Sequence, residues 1–178
     1  MEIVTLDWFS GRLQDATQGI GNDYFQLPVA GREEPIYRER CYCYELYHQL
    51  RNVWPENSGY KLCGEIDKSG HPIIRDNGLD DTKPDLLIHM PEAMEHNYAI
   101  IEVKPINGAT KGVEKDVRTL LAYLKDGGYN RAIYLIYGRR NEGKALDKAI
   151  DVINQQSASQ IEIWCHEEAN TPANLIKL

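Results

Sequence analysis

Two apolar stretches decide the fold: residues 83–89 read KPDLLIH, and residues 98–104 read YAIIEVK. Each is a short apolar run bounded by turn-forming residues, which is the pattern of a β-strand. The loop between them is short, so the two strands are predicted to form an antiparallel hairpin. Antiparallel pairing puts the start of the first strand beside the end of the second. We therefore expect Asp85 to lie near Glu102 and Lys104.

Glu102 and Lys104 are charged residues in a strand that is otherwise apolar. Side chains alternate across a strand, so these two share one face while Ile101 and Val103 share the other. A strand that is apolar on both faces is usually buried, and unpaired charges there are destabilising. One explanation is a structural ion pair between Lys104 and Asp85 or Glu102. The other is a metal ion, because carboxylate oxygens suit Mg²⁺ or Mn²⁺ and no second protein cation accompanies the two acids.

These residues resemble the signature of the PD-(D/E)xK nuclease superfamily. Pro84-Asp85 is similar to its first half and Glu102-Val103-Lys104 to its second, each in a predicted strand. The resemblance implies that Asp85 and Glu102 bind a divalent metal, Mg²⁺ or Mn²⁺, and that the Val103 carbonyl supplies another ligand. It also implies that Lys104 orients or activates the attacking water and stabilises developing negative charge.

The family often adds a glutamate from a helix before the sheet, and residues 35–54 have a helical pattern. Their apolar residues recur at the spacing of one helix face: Tyr42, Leu46, Tyr47, Leu50 and Val53. Glu39 begins Glu-Arg-Cys-Tyr, which resembles the start of the first helix in several nuclease families. Glu45 is the competitor and points in a different direction around the helix. Glu39 is favoured as the auxiliary acid, and a solvated helix charge is the alternative for either residue.

The remaining pattern predicts an α/β protein. A strand over 60–68 precedes the hairpin, and the polar segment 75–82 is predicted to be a surface loop. A helix over 111–125, a strand over 131–137, a helix over 141–155 and a strand over 161–164 follow. This order favours parallel pairing in the second half. The resemblance implies a restriction-endonuclease-like α/β/α core whose mixed sheet carries the site on an antiparallel meander. We expect a nuclease-like domain over 35–178 and an N-terminal arm or capping segment over 1–34.

Composition indicates an ordinary globular chain of 178 residues with a net charge of −7. It has no apolar run of the ~20 residues that span a bilayer and no secretory signal, so a cytoplasmic protein is expected. The four cysteines, Cys41, Cys43, Cys63 and Cys165, fit no zinc spacing and are predicted to be reduced thiols.

Nucleic-acid affinity depends largely on phosphate contacts, so a negative net charge argues against non-specific binding. The segment 111–148 is an exception, with nine basic against five acidic residues. Lys111, Lys115 and Arg118 are predicted backbone-phosphate contacts, with ordinary solvated helix charges as the alternative for each.

The first functional hypothesis is a metal-dependent endonuclease, with DNA the favoured substrate. The chain is similar overall to small nuclease-like proteins of bacterial restriction or phage-defence systems. The second hypothesis is a non-catalytic subunit of the same fold that binds nucleic acid or partner proteins in a larger complex. Its acidic charge and small size favour this alternative. No membrane partner is expected, and the oligomeric state is left open.

Overall fold

A computed structural model describes residues 6–65, 82–91 and 96–177 as a mixed α/β fold. Its sheet has six strands in the order β1 to β6, so neighbours in sequence are neighbours in space. The strands are β1 (Lys61–Gly64), β2 (Leu86–His89), β3 (Asn97–Pro105), β4 (Tyr129–Tyr137), β5 (Ile161–His166) and β6 (Asn174–Ile176). The predicted strands are confirmed over these ranges, whereas β6 was not predicted.

The sheet combines an antiparallel meander with a parallel half. β1, β2 and β3 pair antiparallel, β3, β4 and β5 pair parallel, and β6 returns antiparallel to β5. Both predicted pairing modes are therefore confirmed. In the hairpin, Leu86 lies opposite Ile101, and the register shifts between Ile88 and His89. This register brings Asp85, the residue before β2, level with Glu102.

The helices are α1 (Leu6–Gln18), α2 (Asn22–Phe25), α3 (Glu39–Asn52), α4 (Thr110–Lys125) and α5 (Ala145–Gln155). The last three agree with predicted helices, while α1 and α2 lie in the N-terminal region that the pattern left undefined. Residues 66–68 of the predicted first strand and most of the predicted loop over 75–82 lie outside the described residues. Among the helices of the described ranges, none has the length and apolarity that a membrane crossing requires.

Helices cover both faces of the sheet. Leu87 and Ile100 on one face pack in a core with the apolar sides of α4 and α5. Leu86 and Ile101 on the other face pack in a second core with α1 and α3. The central strands read as continuous apolar runs because neither face meets water. Burial of one large apolar side chain contributes about 1.5–3 kcal/mol, so the two cores supply most of the driving force.

The guanidinium group of buried Arg131 ties α1 to the sheet. Arg131 on β4 is 3% exposed, and its Nη2 lies 2.6 Å from Glu162 Oε2 on β5. The same Nη2 donates to Ser10 Oγ at 3.1 Å, and the guanidinium lies 5.6 Å from the centre of the Phe9 ring. Breaking a buried pair of this kind typically costs about 3–5 kcal/mol. The N-terminal helix is thus held by charge as well as by apolar contact.

Candidate metal centre and active site

The hairpin brings Asp85 alongside Glu102 and Lys104. Asp85 directly precedes β2, and its Oδ2 accepts a hydrogen bond from the backbone N–H of Val103 at 2.7 Å. Pro84 is buried just before it and favours an extended approach to the strand. The proximity expected from the hairpin is therefore present, and a backbone bond fixes the orientation of the Asp85 carboxyl group.

The carboxyl groups of Asp85 and Glu102 are crowded together. Glu102 is 8% exposed, and its carboxyl group interacts with that of Asp85. Burial, followed by the negative charges of Asp85 and Asp116, raises the pKa of Glu102 well above its usual value. Burial also raises the pKa of Asp85 to about 6, against the lowering effect of the Val103 N–H bond. Without a cation, burial and the neighbouring negative charges therefore favour the protonated form of Glu102.

Lys104 is bound by two other carboxylates. Its Nζ lies 2.8 Å from Glu39 Oε2 and 3.0 Å from Asp116 Oδ2, and its side chain is 13% exposed. Burial alone would lower the pKa of Lys104, but the hydrogen bond to Glu39 and the charge of Asp116 outweigh it and raise the pKa. Lys104 is thus a positively charged donor. The structural ion pair considered between Lys104 and Asp85 or Glu102 is not the arrangement found, because Lys104 pairs with Glu39 and Asp116.

Asp116 on α4 is the site residue that the sequence reasoning missed. Its Oδ2 binds Lys104 and accepts a hydrogen bond from the Tyr134 hydroxyl at 3.1 Å. Burial raises the pKa of Asp116 despite the opposing charge of Lys104. A signal was available, because Asp116 lies three positions after Val113 and four before Leu120, on the apolar side of the predicted helix. A carboxylate on that side must have a buried partner.

The structure brings Glu39 to the site and leaves Glu45 away from it. Glu39 opens α3 and reaches Lys104 across the end of β3. Glu45 accepts a hydrogen bond from Gln49 Nε2 at 2.7 Å and lines a separate cavity with Tyr24 and Asn170. The six positions between the glutamates turn the side chains by about 120°, since each residue advances ~100° around a helix. Only Glu39 therefore faces the end of the sheet that carries Asp85.

The predicted phosphate contacts lie on the outer surface of α4. Lys111, Lys115 and Arg118 are all exposed. Arg118 Nε donates to the carbonyl of Glu114 at 3.2 Å, within its own helix. Asp116 on the same helix faces inward to Lys104, so the basic strip and the site share one supporting element. The role of the strip in binding stays a prediction.

The donor set fits a hard divalent cation. Mg²⁺ is commonly bound by only one or two carboxylates and retains several waters, and Asp85 and Glu102 offer such a pair. Burial raises the pKa of both carboxyl groups, and the charge of Asp85 raises that of Glu102 further, so a bound cation would stabilise their ionised forms. Within residues 6–65, 82–91 and 96–177, no group of three or more His, Cys, Asp or Glu side chains is arranged to hold a metal. The predicted third ligand is the Val103 carbonyl, which stays a prediction, and the Val103 side chain is buried on the opposite face.

Fold and site together define a mixed α/β protein with an acidic pair and a lysine at the end of an inner strand. No protein-family model matches the chain, and no curated protein matches it.

Proposed function

We propose that the chain is a metal-dependent phosphodiesterase of the PD-(D/E)xK type, an endonuclease with DNA as the favoured substrate. One observation carries the proposal: Asp85 and Glu102 crowd together at the end of β3 beside a charged lysine that neither of them neutralises. Among the described residues, no ion pair to Asp85 or Glu102 is present, and both acids have a raised pKa. An arrangement that is unfavourable in the metal-free chain becomes favourable when a divalent cation binds.

The cost of the acidic pair argues against a purely structural role. Burial opposes ionisation of both groups, and two apolar residues of similar size would pack here without that penalty. Perturbed carboxylates at one end of a sheet are typical of functional sites. A bound Mg²⁺ or Mn²⁺ would supply Lewis-acid stabilisation of phosphate oxygens and a more acidic water.

The chain's own residues supply positioning and charge. Lys104 is protonated, so it acts as a donor that orients a water or stabilises negative charge on phosphate, and it is not a general base. Glu39 and Asp116 hold the ammonium group from opposite faces of the sheet. Asp116 is in turn held by Tyr134. This bracing restricts the positions that the Lys104 ammonium group can take.

The element order supports a restriction-endonuclease-like core. α3 packs on one face, the meander β1, β2 and β3 carries the acids, and α4 leads into the parallel strand β4. A role in restriction or phage defence is part of the proposal, and it is supported only by the overall resemblance of the sequence. The proposal also includes a cytoplasmic location.

The test is Mn²⁺ binding by calorimetry combined with cleavage of single- and double-stranded DNA and RNA in the same samples. Wild type is expected to bind and cut. Asp85→Ala should lose both activities, because it removes a ligand. Lys104→Met should retain metal binding and lose at least about a hundredfold in cleavage rate, the scale of one lost charge-stabilising donor. Cleavage that persists in Asp85→Ala would disprove the proposal.

The second candidate is a non-catalytic subunit of the same fold. Two carboxylates engage Lys104, and the net charge of −7 gives little general attraction to nucleic acid. Such a subunit should bind partner proteins or nucleic acid and leave every strand intact with Mg²⁺ or Mn²⁺ present. The same calorimetry separates the two candidates, because a non-catalytic subunit is not expected to bind Mn²⁺ through Asp85.

A further inference from the structure

A cavity of about 330 Å³ opens between α3 and the start of the meander, next to the candidate site. Its walls include Tyr44 and Tyr47 from α3, Gly64 from β1, and Asp85 and Leu86 at the start of β2. The volume lies at the small end of the range for ligand pockets.

A glycine at the end of β1, Gly64, forms part of the cavity wall. A Cβ built on Gly64 would meet only the Asp85 carbonyl at 3.6 Å and Leu86 Cδ2 at 3.9 Å, which are ordinary contacts. Two positions earlier on the same face, Leu62 is buried in the core under α3. A larger side chain at Gly64 would therefore fill the space that the glycine leaves open.

The cavity borders one member of the acidic pair. Asp85 is shared by both, and the Glu65 backbone N–H donates to the Asp85 carbonyl at 3.2 Å. Buried Cys43 also lines the cavity, and burial together with the charges of Asp85 and Glu39 raises the pKa of its thiol. A group in the cavity would thus lie beside any phosphate held at Asp85.

The rim of the cavity combines an aromatic ring with a charge pair. Tyr44 is 63% exposed, so its ring makes little contribution to the core. Arg40 Nη2 lies 3.1 Å from Glu65 Oε1, and both side chains are substantially exposed. Glu65 has a φ of +23°, a backbone conformation that non-glycine residues rarely adopt and that recurs at binding sites. A flat ring could stack on Tyr44. Hydrogen-bond donors on that ring could bind Glu65, and an anionic group attached to the ring could bind Arg40.

We propose that this cavity takes one unpaired nucleobase of the substrate, so that the chain acts on single-stranded or locally unpaired nucleic acid. The inference rests on the proposed function and names the substrate class of the same site. A base inside a duplex is stacked on both sides and would have to leave the helix before entering a pocket between α3 and β1. Single strands carry no such penalty, and tyrosine rings bind their bases with little dependence on sequence.

The charge of the protein is consistent with this substrate class. Duplex binding without base contacts depends on many cationic phosphate contacts, and a chain of net charge −7 is poorly equipped for it. Stacking supplies affinity that needs no net positive charge. Binding of a single strand should therefore fall less steeply with salt than binding through phosphates alone.

The experiment measures binding of a labelled short single-stranded DNA and of its duplex by fluorescence anisotropy with Mg²⁺ present. Glu102→Gln serves as the background, so that no strand is cut during titration. Tyr44→Ala removes the exposed ring, and Gly64→Val fills the cavity while leaving every ring in place. Tyr24→Ala is the matched control, because Tyr24 is also an exposed tyrosine (49%) and lines a different cavity. Thermal melts verify that each variant is folded.

The background protein should bind the single strand more tightly than the duplex. Tyr44→Ala and Gly64→Val should each weaken single-strand binding by about tenfold, as loss of one base stack does, and should reduce the preference for single strands. Tyr24→Ala should bind like the background. Equal affinity for both DNA forms, or a preference unchanged by both cavity variants, would overturn the inference, and the pocket would then be assigned to another occupant such as a protein side chain.

Failure of the proposed function is seen separately. If wild type cuts no strand with Mg²⁺ or Mn²⁺ while the cavity variants still lose single-strand binding, the pocket assignment stands and the hydrolase assignment falls. If wild type cuts duplex and single strand at equal rates, the hydrolase assignment stands and the pocket assignment falls.

Discussion

Glu39 and Lys104 are 65 positions apart in the chain, yet Glu39 Oε2 lies 2.8 Å from Lys104 Nζ. The contact joins the first residue of α3 to the penultimate residue of β3. It gives the lysine one of its two carboxylate partners and connects the helical layer on one face of the sheet to the candidate site.

Glu39→Gln should lower kcat for oligonucleotide cleavage by roughly tenfold to a hundredfold, because a misoriented ammonium group loses its catalytic position. KM should change little, since Glu39 positions Lys104 rather than the substrate. Steady-state kinetics provide the measurement. Glu45→Gln is the matched control on the same helix and should resemble wild type, because Glu45 bonds to Gln49 instead. An equal loss in both variants would argue that Glu39 has no special relation to the site.

Gly108→Ala should impair the site through steric contact. A Cβ on Gly108 would lie 2.7 Å from Lys104 Cδ and 2.9 Å from the Pro105 carbonyl, so the lysine stem must move. We expect a cleavage rate at least about tenfold lower, together with retained metal binding.

Gly11→Ala is the control for that substitution. Gly11 lies within α1 and has open space around its Cα, so alanine there should raise the free energy of unfolding by up to about 1 kcal/mol and leave cleavage unchanged. Full activity in Gly108→Ala would contradict the packing described around Lys104.

Glu102→Gln should stabilise the metal-free protein at neutral pH. The pKa of Glu102 is higher in the folded chain than in the unfolded chain. Its contribution to stability is therefore greatest below the unfolded pKa and is lost as the pH rises through the folded pKa. Glutamine removes this penalty, and the Tm in chelator should increase by about 2–4 °C for each kcal/mol recovered. Added Mg²⁺ should raise the Tm of wild type and leave the variant unchanged.

Glu162→Gln applies the same substitution at a site where we expect the opposite change in Tm. Glu162 pairs with buried Arg131 at 2.6 Å, so loss of its charge leaves a cation poorly compensated in the core. The Tm should fall in this variant. Destabilisation of both variants in chelator would show that the Asp85–Glu102 pair is not unfavourable without metal.

His166 should make the protein less stable in mild acid. It is fully buried, its Nδ1 lies 2.7 Å from the Tyr42 hydroxyl, and burial lowers its pKa to about 4. The unfolded chain, with a histidine pKa near ~6.5, binds more protons between these values, so the free energy of unfolding falls by about 3 kcal/mol as pH drops from ~6.5 to 4.

The measurement is urea unfolding of wild type and His166→Gln across this pH range. The stability advantage of wild type should shrink as pH falls, while the opposing contributions of Asp85 and Glu102 are common to both proteins and cancel. A constant difference across the range would disprove the assignment of His166 as a buried neutral imidazole.

The sequence predicted the strands and helices best where the pattern was strongly periodic. α4 and the strands from β2 to β5 lie close to their predicted positions, because apolar alternation and amphipathic spacing are local properties. β6 was not predicted, and residues 1–34 were expected only to form an arm or capping segment. α1 is held by contacts with β4 and α3 that no local pattern contains, and β6 has only three residues.

The sequence alone determined that Asp85, Glu102 and Lys104 meet, because hairpin pairing and the two-residue repeat of a strand are local geometry. Only the tertiary structure decided that Lys104 binds Glu39 and Asp116, and that Glu45 turns away. The direction in which a helix side chain points relative to a sheet depends on how the helix packs, which long-range contacts determine. The cavity beside Asp85 was decided in the same way, since its walls come both from α3 and from the ends of β1 and β2.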